Sequence, residues 1–279
     1  MLTDYHLHLR PDDGDTPAAR YFTAENVDRY LAAAAAAGIE ELGVSEHVYR
    51  FRQALDLWRH PLWIENAHDD LDAYCAFVRT TALKLGIECD FIPGTEERTA
   101  ELLGAREFDY VVGSVHFIGE GDNAVDHEGW DVWEGNDPDE IWRRYFEMLA
   151  QCARSGLYDI LAHPDLVKVW GRARPLPEMD LRAYYEPAVE AIAESGIAVE
   201  LSTAGLRKPV GELYPAREFA ELCVEAGASF ALSSDAHLPE QVGFEYDRAV
   251  EFLDSLGVEE ICVFEGRRRS LVPLGSRVG

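Results

Sequence analysis

Seven short apolar runs in this chain each lead into a histidine or an acid, and that repeated ending constrains the fold more than any other feature. The opening residues run straight into His6-Leu7-His8. Six later runs follow the same grammar: Leu42-Gly43-Val44-Ser45-Glu46-His47, Phe91-Ile92-Pro93-Gly94-Thr95-Glu96, Tyr110-Val111-Val112-Gly113-Ser114-Val115-His116, Ile160-Leu161-Ala162-His163-Pro164-Asp165, Ala198-Val199-Glu200-Leu201-Ser202 and Phe230-Ala231-Leu232-Ser233-Ser234-Asp235-Ala236-His237. Strand side chains alternate faces, so His6 and His8 project to one side and make half a site for a divalent ion.

Helix-like segments separate the runs. Residues 24–37 are alanine-rich, with Thr23 to cap them and Gly38 to stop them. Residues 70–85 carry apolar positions at helical spacing up to Gly86, and further helices are expected at 98–105, 139–154, 181–194, 212–226 and 241–255. Strands are expected at 87–92, 110–116 and 159–162, and a last one at 259–265 lacks a ligand at its tip. Strand and helix in regular alternation predict an α/β fold: a parallel sheet, helices outside, closed into a barrel. Barrel enzymes carry their chemistry at the C-terminal ends of the strands.

A chain of 279 residues suits one barrel-sized domain, and with no composition shift to mark a linker, residues 1–279 read as a single unit. The formal charge of −27, from 52 acids against 25 Lys and Arg, repels a phosphate backbone and argues against nucleic acid as the main partner. A small phosphorylated substrate fits if metals and arginines reverse the potential in one cleft. The remaining acids read as solvated helix faces.

The five cysteines are scattered, mostly in apolar runs, and read as buried thiols of a reducing compartment. The first strand begins at once, leaving no room for a signal peptide, and no apolar run approaches membrane-spanning length. A soluble, cytoplasmic protein is expected. Two irregular stretches, 48–70 and 119–138, offer Trp58, Trp63, Trp130 and Trp133 as pocket walls, and 267–269, three arginines, read as a solvated tail.

The strand-end candidates are His6, His8, His47, Glu96, His116, His163, Asp235 and His237. Six histidines and two acids are too many for one zinc, and a mixed nitrogen and oxygen set suits two or three ions of Zn, Mn or Fe. His60, His68 and His127 fall in loops or a helix and read as structural. Asp165 and Glu200 read as acceptors behind the ligands or as salt-bridged residues of the sheet.

His6-Leu7-His8, Ser45-Glu46-His47, Gly94-Thr95-Glu96, Ser114-Val115-His116, Ala162-His163-Pro164 and Ser234-Asp235-Ala236-His237 resemble the ordered motifs of the PHP (polymerase and histidinol phosphatase) superfamily. Within it the chain resembles the histidinol-phosphatases, through 161–168, 202–208 and 233–237. The resemblance covers essentially the whole chain. It implies a distorted (β/α)7 TIM-like barrel. His6, His8, Glu96 and Asp235 would hold one ion, and Glu96 would bridge to a second on His116 and His163. A third would use His47, His237 and a group from the loop after the first strand. Where relatives place a histidine in that loop, this chain offers Asp12, Asp13 and Asp15.

The implied reaction is hydrolysis of L-histidinol phosphate, with a hydroxide between the ions attacking phosphorus in line. Arg207 is the expected phosphate clamp through its planar fork, with Lys168 as second choice or else in a salt bridge. The proton to the leaving group would come from a metal-bound water or from Asp235. Rival readings are a phosphoesterase acting on nucleotides or another small ester, an amidohydrolase-like barrel, and a non-catalytic module that keeps the fold.

Overall fold

A computed structural model of the chain describes residues 1–11, 18–118 and 123–275. The chain opens with strand β1 (Thr3–Asp4) and helix α1 (Ala24–Ala36). The Thr23 side chain accepts from the Asn26 amide, satisfying one of the orphan donors at a helix start. Val27, Tyr30 and Ala34 recur at helical spacing and are the buried face. Then come β2 (Glu41–Val44), α2 (Pro61–Asn66), α3 (Leu71–Val78), β3 (Lys84–Leu85), β4 (Glu88–Asp90), α4 (Glu96–Gly104) and β5 (Val112–Ser114). The second half continues as α5 (Pro138–Arg154), β6 (Ile160–Leu161), α6 (Arg182–Ser195), β7 (Ala198–Ser202), α7 (Arg217–Glu225), β8 (Phe230–Ser233), α8 (Tyr246–Ser255) and the hairpin β9 (Glu260–Glu265) and β10 (Arg268–Pro273).

All pairings among β1 to β8 are parallel: β1 with β2, β2 with β3, and β4 through β8 in order. A bridge from His47 to Glu88 carries the pairing from the end of β2 to β4, and one from Leu7 to Ala236 joins the chain after β1 to the chain after β8. The Tyr5 amide donates to the Leu232 carbonyl at 3.3 Å and the His8 amide to the Ala236 carbonyl at 2.7 Å. Backbone pairing therefore returns from the last parallel strand to the first. The parallel α/β order expected from the sequence is present.

A small buried core packs among the strands: Tyr5, Tyr110, Val112, Ile160, Ala162, Ala198, Ala231, Cys262 and Phe264. Tyr110 passes so close to β2 and to the link between β3 and β4 that only glycine fits beside it. A Cβ on Gly43 would lie 2.8 Å from Tyr110 Cε1, and one on Gly86 2.7 Å from Tyr110 Oη. Gly43→Ala or Gly86→Ala is therefore expected to destabilise the fold by about 1–3 kcal/mol, through overpacking of a side chain with no room to move. A lowered midpoint in urea unfolding checks this.

Several boundaries differ from expectation for local reasons. The helix expected to reach residue 85 ends at Val78, where Thr80 and Thr81 hydroxyls donate back to Phe77 and Val78 carbonyls, and Lys84–Leu85 joins the sheet. The helix expected from 212 starts at Arg217, because Tyr214 pairs with Ser202 first. The three arginines at 267–269 are not a loose tail. Arg267 turns the β9–β10 hairpin and pairs with Asp159 at 2.8 Å, and its neighbours enter β10. All five cysteines are free thiols, and four are buried. Among the described residues no helix is long and apolar enough to cross a membrane.

Candidate metal centre

The first residue of β4, Glu88, is 1 % exposed and faces five imidazoles. Its Oε2 lies 3.3 Å from His6 Nε2 and 3.7 Å from His8 Nε2, and pairs with His47 Nδ1. Its Oε1 lies 3.4 Å from His163 Nε2 and 3.6 Å from His116 Nε2. Asp235, just past β8, adds Oδ1 at 3.3 Å from His8 Nε2, 3.6 Å from His237 Nδ1 and 3.8 Å from His6 Nε2. Three overlapping groups bring their ligand atoms within 4.8 Å of one another: His6, His8 and Asp235; His6, Glu88 and His163; His8, His47 and His237.

Buried acids orient this ring from behind. Glu200 Oε1 sits 2.7 Å from His6 Nδ1, and its Oε2 accepts the backbone amide of His163. Asp90 Oδ1 sits 2.7 Å from His116 Nδ1. Engaging one ring nitrogen in this way fixes the imidazole and turns the other towards a metal. Glu46 accepts the Leu9 and Arg10 amides at 2.7 and 3.2 Å and so pins the chain just after His8. Two of the ring members have left-handed backbone, His163 with φ 22° and Asp235 with φ 48°. That region is costly for a side-chain-bearing residue and persists only when its surroundings hold it. For His163 the restraint is Glu200. For Asp235 it is Arg207, whose Nη2 donates to the Ser234 and Asp235 carbonyls at 2.7 and 2.9 Å.

The electrostatics are those of a charge-dense, largely buried cluster. Burial alone would raise the Glu88 carboxyl, but His47, His6 and His163 hold it well below the usual carboxylate range. Burial likewise opposes ionisation of Asp235, and His6, His8 and His237 outweigh it. Burial disfavours charge on His6, yet Glu200, Glu88 and Asp235 raise it well above its ordinary value. His8 goes the other way, pushed well down by burial and by His47 and His237, which favours its neutral form.

Among the described residues no well-formed hydrogen bond reaches either oxygen of Glu88, either ring nitrogen of His8, or His6 Nε2. Buried polar atoms left this way are costly, and their convergence fits divalent ions of the Zn, Mn or Fe kind.

The structure brings together seven of the eight expected ligands: His6, His8, His47, His116, His163, Asp235 and His237. The eighth, Glu96, does not join them. It is the first residue of α4, half-exposed and outside the three groups. The carboxylate at the centre is Glu88, eight residues earlier, because the strand sets its acid at its beginning and not beyond its end. A signal for it is present in the sequence. Glu88 and Asp90 alternate like His6 and His8, and so share a face. The expected acceptor role of Glu200 matches its place behind His6. Asp165 instead pairs with Lys168 at 2.8 Å and accepts the Ala216 amide. Asp12, Asp13 and Asp15 lie outside the described residues.

The cluster forms the floor of a cavity of about 750 Å³. Trp130 is in its wall, as expected of that loop, together with Tyr49, Phe117 and Trp170, whereas Trp58, Trp63 and Trp133 pack elsewhere. His60 is structural, its Nδ1 accepting from the Leu62 amide, while His68 and His127 line the cavity. Neither Arg207 nor Lys168 is in the wall. Lys168 Nζ is committed to Asp165, to Glu212 at 3.3 Å and to the Leu213 carbonyl at 2.8 Å.

Residues 21–204 match the PHP domain family. A probable histidinol-phosphatase of Deinococcus radiodurans is 35% identical over 266 residues, covering 92% of this chain and 94% of that protein. One of Schizosaccharomyces pombe, also named a probable histidinol-phosphatase, is 28% identical over 255 residues, covering 82% and 80%. The crystal structure of a histidinol phosphate phosphatase from Lactococcus lactis, complexed with zinc, L-histidinol and phosphate, superposes with a TM-score of 0.74. It is 20% identical and covers 96% of this chain and 98% of its own, which shows a common fold. A fold of this likeness, a family match over most of the chain and a near-full-length relative lead to one conclusion: the chain belongs to the PHP-domain family and, within it, to the histidinol-phosphatase family.

Proposed function

We propose that this protein is a metal-dependent phosphatase that hydrolyses L-histidinol phosphate to L-histidinol and inorganic phosphate. The observation that carries the reading is one buried carboxylate, Glu88, ringed by five imidazoles at the floor of a substrate-sized cavity. The returning circuit of parallel strands reads as a distorted (β/α)7 barrel, with these residues at one rim. Two or three divalent ions fit the ligand number. His6, His8 and Asp235 would hold one, with Glu88 shared towards a second on His116 and His163, and His47 and His237 serving a third. When bound, such ions supply Lewis-acid stabilisation of phosphoryl charge and a water of lowered pKa.

The chain's own groups set up the rest. Asp235, held ionised by its histidines, acts as a ligand and is a poor proton donor at neutral pH. Arg207 is anchored through Nη2, and its buried Nη1 has no hydrogen-bond partner among the described residues, which suits it to meet a phosphoryl oxygen. Lys168, held by Asp165, is better read as structural. A carboxylate at the centre also disfavours the amidohydrolase-like alternative, which calls for a bridging lysine.

The acids Glu65 and Asp126 in the cavity wall favour a substrate that carries a cationic group besides its phosphate. Histidinol phosphate carries an ammonium and an imidazole, and nucleotides offer no such charge. Steady-state phosphate release should show kcat/KM for histidinol phosphate at least about 100-fold above that for nucleoside monophosphates. Faster turnover of a nucleotide would reassign the substrate.

A further inference from the structure

The segment between β7 and α7 carries donors left unused among the described residues. It leaves the strand as a single turn, Ala204–Arg207, and doubles back, so that a Cβ on Gly205 would lie 3.0 Å from Tyr214 Cε2. The Tyr214 and Ser202 backbones bond to each other in both directions, at 2.7 and 3.0 Å, closing the excursion into a fixed loop. Tyr214 is 1 % exposed, its ring lines the cavity 6.3 Å from that of His163, and its hydroxyl has no hydrogen-bond partner among the described residues.

Lys208, on the same loop, also lines the cavity. The other two cations of the wall are matched by acids: Arg10 by Asp69 at 2.8 Å and Arg50 by Glu46 at 2.6 Å. Lys208 has no ion-pair partner among the described residues, although the chain carries 52 acids. One short loop therefore sets a phenol and an ammonium, both donors, in the cavity wall, with the buried Nη1 of Arg207 behind it. Unmet donors gathered beside a cavity are what a multiply charged anion requires.

We propose that Tyr214 Oη and Lys208 Nζ receive the phosphoryl oxygens of the substrate. This rests on the phosphatase reading above and adds two substrate-binding residues to it. The hydroxyl is a neutral donor that fixes orientation, and the ammonium draws the dianion into a cavity set in a strongly negative protein.

Tyr214→Phe and Lys208→Gln test the assignment in the metal-loaded protein. Calorimetric titration with inorganic phosphate should show affinity reduced about tenfold in each variant, while L-histidinol binds as in the unaltered protein. Thermal unfolding of Tyr214→Phe should be unchanged, because its hydroxyl satisfies nothing among the described residues. Phosphate binding within twofold of the unaltered protein in both variants, or equal losses for phosphate and L-histidinol, overturns the proposal, as does an unaltered protein that binds no phosphate. Failure of the unaltered enzyme to hydrolyse histidinol phosphate would instead defeat the substrate reading, and the phosphate titration would still decide the loop.

Discussion

Replacing Glu88 by glutamine is expected to lower phosphate release by about 10³-fold or more and to cut the bound metal measured by elemental analysis. The amide keeps the shape of the side chain but removes the negative charge that five imidazoles face. It also puts a donor where ligand lone pairs are needed. Glu96→Gln is the matched control. At a half-exposed helix start outside the cluster, it should leave turnover within about twofold and stability within about 0.5 kcal/mol. If the two variants behave the other way round, the central carboxylate has been assigned to the wrong strand position.

Stripping the ions with a chelator is expected to lower the melting temperature by at least about 10 °C at pH 8 and to abolish phosphate release. A ligand present at a thousand times its dissociation constant stabilises by about 4 kcal/mol per site, and a chain of this size loses about 2–4 °C per kcal/mol. The gap should narrow at pH 6. In the ion-free protein His6 is raised, so its contribution is complete below its ordinary value and fades as the pH rises. Glu88 is depressed, so its contribution is present above its ordinary value and is lost only towards acid. Near pH 6 protons therefore partly substitute for ions. Towards pH 8 this substitution weakens, and ion affinity rises as ligands deprotonate. Calorimetric scans of loaded and stripped protein at both pH values check this; coincident melts at pH 8 would mean that the cluster holds no ion.

Most of the centre was legible because its histidines stand at strand ends, where an apolar run stops at a polar group and the period of two fixes the side chain's direction. His6, His8, His47, His116, His163, Asp235 and His237 all follow that rule. Glu88 breaks it. It stands at the start of its strand, beside Cys89 and Asp90, and Pro93-Gly94-Thr95-Glu96 imitates the expected ending more closely. What distinguishes the two is the offset between neighbouring strands, seen in the bridge from His47 to Glu88, and that offset is a property of the assembled sheet. The place of Lys168 was obscured for a related reason. A cation's destination depends on which acids and carbonyls fold beside it, and for Lys168 that partner is three residues away, on its own turn. The β9–β10 hairpin was half visible: its first strand is a plain apolar run, whereas its second is too rich in arginine to look like one.

The left-handed backbone at His163 and Asp235 has an evolutionary consequence. Positions bent for the sake of chemistry drain stability from the whole, so drift at Glu200 or Arg207, which brace them, meets a double penalty in folding and in turnover. A lineage that lost its dependence on this reaction would be free to relax both corners with glycine, and its descendants could become sturdier as they became inert.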